Sequence, residues 1–182
     1  FKAFYPYSYN NVNNSFDNGQ IGTEQNTKEG LALSDYMKAR KTYENIPENR
    51  QLELTFERKT ARVVIDIENS TLMNEFDQPY VADINIYSQL QLPATQGVEF
   101  SSIKAYKVDD ANPKSSWVAL VAPNAEDANK DFICISVQEN GTGTPKAYSI
   151  KGIPNLESGK SYTYKLKIGK DKAIIDNVTV TD

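Results

Sequence analysis

The chemistry open to this sequence is limited first by the absence of histidine, the commonest catalytic base. The 182-residue chain contains no histidine and a single cysteine, Cys134. Without histidine it cannot form a Ser-His-Asp triad, and Cys134 lacks the neighbouring base that usually generates a thiolate. One cysteine also excludes an intramolecular disulfide and a zinc site built from cysteines. Because Cys134 lies in an apolar run, residues 132–135, we expect it to be a small buried side chain.

Carboxylates are the second group that could do chemistry, and the chain has 24 Asp and Glu residues. A pair of them could hydrolyse a glycoside, and a cluster could bind calcium. The two acidic segments, residues 109–112 and 126–131, lack the ordered ligand spacing and the glycine of a calcium loop. We therefore expect solvated turns there, and the sequence indicates no catalytic residue, metal site or cofactor. A carboxylate hydrolase is the least favoured hypothesis.

Aromatic side chains could form a third kind of site, a carbohydrate platform. The chain has 11 tyrosines and one tryptophan, of which Tyr5, Tyr7 and Trp117 are the candidate glycan-binding residues. Tyr5 and Tyr7 would project from one side of an extended segment. Aromatic residues are also common in sheet faces and cores, and we favour that packing interpretation. A surface glycan-binding β-sandwich is nevertheless one function that the sequence allows.

Alternating hydrophobic positions predict that β-strands carry these residues. In residues 161–168, aromatic and aliphatic residues alternate with polar ones, and a period of two places them on opposite faces of a sheet. From about residue 50 such segments recur with turn signals between them, which is typical of a β-sandwich or barrel. The segment 132–137 is apolar on both faces and is expected to be a central strand. The predicted strands are 51–57, 61–68, 81–88, 98–108, 117–122, 131–137, 146–151, 161–168 and 173–181.

These strands divide the chain into two predicted parts. Residues 49–182 are expected to form an all-β sandwich of about seven to nine strands. Residues 1–48 are expected to be the remnant of an N-terminal domain, or an extension packed on the sandwich. The apolar segment 1–7 is expected to be an inner strand from which upstream residues have been removed. Residues 31–40 could form a short helix with Ser34 as its cap, or an extended segment.

Composition and charge disfavour two classes of partner. The formal net charge of −4 makes nucleic acid and anionic membrane surfaces poor partners. No segment of the sequence approaches the roughly 18 apolar residues that a membrane-spanning helix needs. We therefore predict no nucleic-acid partner and no direct insertion of this chain into a membrane.

Four segments carry a family resemblance: Phe1-Lys2-Ala3-Phe4-Tyr5-Pro6-Tyr7, Ser34-Asp35-Tyr36-Met37-Lys38-Ala39, Leu52-Glu53-Leu54-Thr55-Phe56-Glu57-Arg58-Lys59-Thr60-Ala61-Arg62-Val63 and Leu156-Glu157-Ser158-Gly159-Lys160-Ser161-Tyr162-Thr163-Tyr164. In the same order, they resemble segments of the Bacteroidales fimbrillins, subunits of surface fimbriae that include the FimA- and Mfa-like groups. The order matches over nearly the whole chain. One departure is Arg58, which stands where histidine is common in the family.

The resemblance implies a non-enzymatic, structural or adhesive subunit of a cell-surface fimbria. It implies a lipoprotein precursor exported to the outer membrane and then cleaved, so that the membrane is contacted only through an upstream lipid anchor. It implies two transthyretin-like, Greek-key β-sandwich domains, of which this chain would lack much of the first. The implied partners are other fimbrial subunits, together with host or bacterial surface ligands.

The resemblance also implies assembly by strand exchange, in which a strand of the next subunit fills a hydrophobic groove. For this role the candidate is the terminal strand, residues 173–180, as donor or as lining of the groove. A period of two predicts that Ile174, Val178 and Val180 share one side of that strand. These three are the predicted strand-exchange residues.

Overall fold

A computed structural model describes residues 1–9, 12–68, 71, 79–95, 97–109, 116–124, 126–139, 142–169 and 171–182. The described elements are helix α1 (Lys28–Leu33) and strands β1 (Lys2–Tyr5), β2 (Ser8–Tyr9), β3 (Val12–Asn13), β4 (Gly19–Gln20), β5 (Met37–Arg40), β6 (Glu57–Arg58), β7 (Ala61–Ile67), β8 (Pro79–Ser88), β9 (Gln91–Leu92), β10 (Ser101–Lys104), β11 (Tyr106–Lys107), β12 (Trp117–Val121), β13 (Asp127–Glu139), β14 (Thr142–Ile153), β15 (Ser161–Ile168) and β16 (Ala173–Thr181).

Nine of the described strands form the two main sheets. One sheet has the strand order β11-β12-β7-β15-β16, and the other has the order β10-β8-β13-β14. β7 and β15 run parallel, whereas the other neighbours within these sheets are antiparallel. The prediction of an all-β sandwich is confirmed, and the described sheets reach the upper end of the expected number of strands.

The inward faces of the two sheets supply the hydrophobic core. Ile65 on β7 and Ile135 on β13 are both fully buried in one cluster. Phe132 and Tyr164 meet across the sheets in an edge-to-face contact, with ring centroids 5.3 Å apart. Burying an aliphatic side chain such as Ile65 or Ile135 contributes about 1.5–3 kcal/mol. The alternating apolar residues of the sequence therefore form the contacts that hold the two sheets together.

Strand β13 is the centre of the four-stranded sheet, as its apolar sequence predicted, with β8 and β14 on either side. Ile133 and Ile135 are fully buried. Cys134 points to the opposite face, where it pairs with Asn85 and Ser149 and is only half-buried. The expectation of a buried cysteine is therefore wrong, because the apolar run presents one face to the core and the other to the outer surface.

The predicted strand 98–108 consists of two strands that belong to different sheets. β10 pairs with β8 in the four-stranded sheet, and β11 pairs with β12 in the five-stranded sheet. Between them lies Ala105, which is fully buried and donates its N–H to the Ile84 carbonyl at 2.9 Å. The chain thus passes from one sheet to the other at Ala105, a change of partner that the apolar pattern does not show.

Residues 51–56 form no regular strand, contrary to the prediction from their alternating pattern, and only the short β6 follows them. The Tyr43 hydroxyl accepts the Glu53 N–H at 3.0 Å and donates to the Glu53 carbonyl at 3.1 Å. The Tyr43 side chain thus satisfies the Glu53 N–H and carbonyl, which would otherwise hydrogen-bond to a neighbouring strand. Leu52 and Phe56 are exposed.

The N-terminal part contains α1 and two strands, β1 and β5, which form a small sheet with β6 in the order β1-β5-β6. β1 lies at the edge of this sheet, so the expectation that residues 1–7 form an inner strand is wrong.

The Thr27 hydroxyl caps α1 by accepting the Gly30 N–H at 3.0 Å. Ser34 follows the last helical residue, and residues 31–40 are divided between the end of α1 and β5. No helix among the described residues is long and apolar enough to cross a membrane.

The N-terminal segment packs against the sandwich through a buried side-chain amide. Ile21 and Tyr36 lie in the same buried cluster as the two sheets. The fully buried Gln25 accepts the Leu120 N–H at 2.8 Å and donates to the Leu120 carbonyl at 2.8 Å and the Gly22 carbonyl at 3.0 Å. This amide therefore pairs with β12 as a neighbouring strand would. The division of the chain after residue 48 stays a prediction.

Replacing Gln25 with alanine removes these hydrogen bonds and leaves the buried Leu120 N–H and carbonyl without their partner. We expect Gln25→Ala to lower the free energy of unfolding by about 2–4 kcal/mol in urea titrations. The matched control is Gln51→Ala, at an exposed position, which is expected to change stability by less than about 0.5 kcal/mol. Equal stabilities of the two variants would contradict an anchoring role for Gln25.

Candidate functional site

Strand β16 forms one edge of the five-stranded sheet. Among the described strands it has β15 as a neighbour on one side and no neighbour on the other. The backbone N–H and carbonyl groups along its outer edge are the kind of template that another extended chain can pair with. With nine residues, this edge is long enough to hold a complete added strand.

Val178 and Val180 lie on the core-side face of β16. They pair with Tyr164 and Tyr162, both of which are buried, and directly paired residues of antiparallel strands point to the same face. These two valines therefore share one side, as the period of two predicted.

Ile174 does not lie on that side. The register with β15 shifts at Asp176, which is the extra residue of a β-bulge. As a result Ile175 pairs with Leu166 and faces the core side, whereas Ile174 pairs with Lys167 on the outer face. The expected grouping of Ile174 with the valines is wrong because the bulge moves the alternation by one residue. Asp and Asn at positions 176 and 177, residue types depleted in strands, were the available signal.

The large apolar side chains of β16 are exposed to solvent. The exposed fractions are 43% for Ile174, 36% for Ile175, 42% for Val178 and 51% for Val180. Their core-side partners on β15 are buried, so the core reaches its margin at β16, where Ala173 packs against it. We call Ile175, Val178 and Val180 the β16 row; together with the strand's outer edge, it is the candidate site.

Other edges of the two main sheets are protected in ways that β16 is not. β14, at the edge of the four-stranded sheet, carries Pro145 and Lys146, and such residues discourage pairing at an edge. At β10, the Lys104 N–H donates to the Thr23 carbonyl at 2.8 Å, so the N-terminal segment covers that edge. Within β16 the single charged residue is Asp176. Of the three edge strands β10, β14 and β16, β16 is therefore the one best suited to pair with an added strand.

Two ion pairs fasten β16 to β15. The Lys167 ammonium lies 2.6 Å from the Asp176 carboxylate and 3.8 Å from that of Glu68. Lys160 pairs with Asp182, immediately after the strand. Hydrogen bonds to these carboxylates raise the pKa of Lys167 and of Lys160, and the bond from Lys160 lowers the pKa of Asp182. Backbone hydrogen bonds to β15 are therefore the main interactions that hold β16 in place, and these exposed ion pairs add little.

The three aromatic candidates for glycan binding lie in different environments. Trp117 belongs to the core, is 8% exposed and has the Lys107 ammonium 6.0 Å from its ring centroid. Tyr5 and Tyr7 are 43% and 70% exposed, and Tyr7 stacks on Phe4 with centroids 6.1 Å apart. Since a stacking platform requires an exposed ring face, Trp117 fits the packing interpretation and leaves little surface for a sugar.

The acidic segments form no cluster of three or more potential metal ligands within the described residues. Residues 110–112 of the first segment lie outside the described residues. In the second segment, β13 begins at Asp127, and the Asp131 carboxylate accepts the Ser149 hydroxyl at 2.6 Å. The expected turn at 126–131 is therefore mostly the start of a strand.

The sequence profile of the fimbrillin-like family matches residues 1–182. The chain therefore belongs to the fimbrillin-like family, and the resemblance carried by the four sequence segments is confirmed. No curated protein matches the sequence significantly.

Solved structures share the fold at low sequence identity. A candidate cell adhesion protein from Bacteroides ovatus has a TM-score of 0.65 and 16% identity, with coverage of 100% of this chain and 66% of that one. A similar protein from Bacteroides uniformis has a TM-score of 0.65 and 14% identity, covering 100% and 71%. The tip fimbrial protein Mfa3 from Porphyromonas gingivalis has a TM-score of 0.50 and 11% identity, covering 83% and 65%. This chain thus spans about two thirds of the length of these structures.

Protonating Asp182 should loosen the end of β16. Its pKa lies below the ordinary value of 3.8, so its pair with Lys160 stabilises the strand above that pH, and the contribution is lost as the pH falls through the lowered pKa. We expect amide protection factors of residues 178–181 to fall as the pH drops below about 4, and Asp182→Asn to reduce this pH dependence. Asp171→Asn, at an exposed position before β16, is the control; an identical pH profile for Asp182→Asn and the unmodified protein would refute the assignment.

Proposed function

We propose that this protein is a structural subunit of a cell-surface fimbria and that neighbouring subunits join by β-strand exchange at β16. The observation that carries the proposal is the combination of an unpaired strand edge and the exposed, apolar β16 row. Both are features that an added strand would cover at the same time.

The physical gain on adding a strand has two parts. Main-chain hydrogen bonds would complete the ladder along the outer edge of β16. Alternate apolar side chains of the incoming strand would extend the core over Val178 and Val180, whose exposed surface would be removed from water. The β16 row can serve either as part of the groove that accepts a strand or, if β16 itself leaves β15, as the donor.

Family membership supports the placement of this subunit at the cell surface. The fimbrillin-like profile covers the whole chain, and the structural neighbour Mfa3 is a tip fimbrial protein. We therefore propose other fimbrial subunits as its partners, with host or bacterial surface molecules as ligands of the assembled fimbria. The outer membrane and a lipid anchor on the precursor complete the proposal, and the role is structural rather than enzymatic.

Charged substitutions in the β16 row test the assembly proposal. Val178→Asp combined with Val180→Asp should abolish assembly and leave the monomer folded, because 42% of Val178 and 51% of Val180 are already exposed to water in the monomer. The matched control is Thr179→Asp, since Thr179 pairs with Thr163 on the outer face of the same strand. The expected result is loss of multimers for the double variant alone, with unchanged thermal melting of the purified monomers.

The native protein recovered from the cell surface gives the readout. It is run on a denaturing gel with and without boiling, and the same sample is imaged by negative-stain electron microscopy. Heat-sensitive ladders together with filaments support a polymerising subunit. A single monomer band without filaments, or ladders that persist in the Val178/Val180 double variant, would argue against assembly through β16.

A further inference from the structure

Residues 51–56, which we call the 51–56 segment, have the sequence of a strand but form none in the monomer. Leu52, Leu54 and Phe56 alternate strictly with polar residues, which is the period of a strand with one buried face. Of the nine strands predicted from the sequence, this is the one that gains almost no strand neighbour among the residues that the structure describes. Its pattern therefore has a use that the monomer does not show.

The 51–56 segment lies on the surface of the molecule. Leu52 and Phe56 are each 43% exposed, and Leu54 is half-buried. The preceding residues 44–50 are also exposed or half-buried. Because none of these residues belongs to the buried core cluster, the segment can leave its position without opening the sandwich.

One side chain holds the middle of the 51–56 segment. The Tyr43 hydroxyl accepts the Glu53 N–H at 3.0 Å and donates to the Glu53 carbonyl at 3.1 Å. Both bonds are exposed to solvent, so water can replace them at small net cost. We call this pair of hydrogen bonds the Tyr43 latch.

The 51–56 segment has the side-chain spacing that the outer edge of β16 requires. Beyond the bulge, Val178 and Val180 lie two residues apart on the core-side face, and Leu52 and Leu54 have the same separation. Regular alternation therefore lets the segment follow this half of β16 with its apolar side chains on the core side. Its backbone would supply hydrogen-bonding partners for the edge of β16, which has no neighbour there among the described strands.

The polar side of the 51–56 segment suits the outer face of the five-stranded sheet. With the apolar side chains toward the core, Glu53 and Thr55 face outward. On that face β16 carries the uncharged Asn177 and Thr179, and Asn177 pairs with Lys165, which is exposed on β15. A strand added to β16 lies about 10 Å from β15, a distance at which the Glu53 carboxylate and the Lys165 ammonium still attract each other.

We propose that the 51–56 segment of one copy of this protein is the strand that pairs with the outer edge of β16 in a second copy. This inference rests on the proposed function and names the strand that β16 accepts. Leu52, Leu54 and Phe56 lie beside the β16 row, and the segment leaves the Tyr43 latch before it pairs. Because the contact joins two different surfaces, it repeats from copy to copy and extends a filament.

Cross-linking between two copies tests the contact directly. Cells make one copy with Leu54→Cys and another with Val178→Cys or Val180→Cys, all in a Cys134→Ser background, so that each copy has one cysteine. We expect a disulfide-linked dimer on a non-reducing gel for the valine position that lies opposite residue 54. The matched control replaces Leu54→Cys by Thr55→Cys, whose side chain faces the other side of the segment. No dimer with either valine position, or equal yield from the Thr55 control, would overturn the proposal.

Removing the Tyr43 hydroxyl tests the latch. Tyr43→Phe keeps the ring but removes both hydrogen bonds to the 51–56 segment, so less free energy is needed to release it. We expect the protein concentration at which half of the subunits are in multimers to fall about threefold or more. Tyr7→Phe, at another exposed tyrosine, should leave that concentration unchanged. An unchanged value for folded Tyr43→Phe would refute the latch.

A second pair of variants separates this inference from the proposed function. Leu52→Asp combined with Phe56→Asp is expected to abolish multimers, whereas Thr55→Asp retains them, and thermal melting shows that each variant is folded. If folded Leu52→Asp/Phe56→Asp assembles normally while the Val178/Val180 double variant does not, assembly at β16 stands and the 51–56 segment is not its partner. If the unmodified protein forms no multimers, the proposed function fails, and this inference fails with it.

Discussion

A strand at the edge of a sheet has backbone amide and carbonyl groups that its single neighbour cannot satisfy. Each of these groups needs another hydrogen-bonding partner, and different edges in this protein obtain one in different ways. The N-terminal segment covers β10 through the bond between Lys104 and Thr23. The Gln25 amide pairs with the backbone of Leu120 on β12. Pro145 and Lys146 disfavour pairing of another strand with the edge of β14. Among the residues that the structure describes, none of these features protects β16, and that contrast underlies the role proposed for the strand.

In the proposed assembly, the sandwich remains folded while one of its edges is open to a partner strand. Its stability comes from the core between β7, β13 and β15, where Phe132 and Tyr164 meet across the sheets. β16 lies at the margin of that core, with Ala173 packed against it, and depends mainly on its ladder with β15, supplemented by the ion pairs of Lys160 and Lys167. Exposed ion pairs contribute little to stability. Rearrangement at β16 would therefore disturb the rest of the molecule much less than rearrangement of any central strand.

Much of the fold could be predicted from the sequence because the sheets bury one face. Strands β7 and β15 follow their predicted ranges closely, since their alternation reflects direct contact with the core. The pattern failed where a contact distant in sequence decides the structure. Ala105 divides one apolar run between two sheets, and the Tyr43 hydroxyl takes the backbone groups of Glu53. Within the candidate site, Val178 and Val180 were predicted, whereas Ile175 was missed because periodicity alone does not show a bulge.

The bulge at Asp176 also restricts what a partner strand can look like. On its C-terminal side the apolar residues of β16 face the core, at Val178 and Val180, whereas on its N-terminal side Ile174 faces outward and Ile175 inward. A partner with strict alternation can therefore match only one half of β16. To follow the whole strand, it must carry a compensating irregularity opposite Asp176, because a slip of one residue exchanges its two faces. In the proposed assembly, the bulge would therefore fix the register of the partner strand, because the same segment shifted by one residue would turn its apolar side chains to the wrong face.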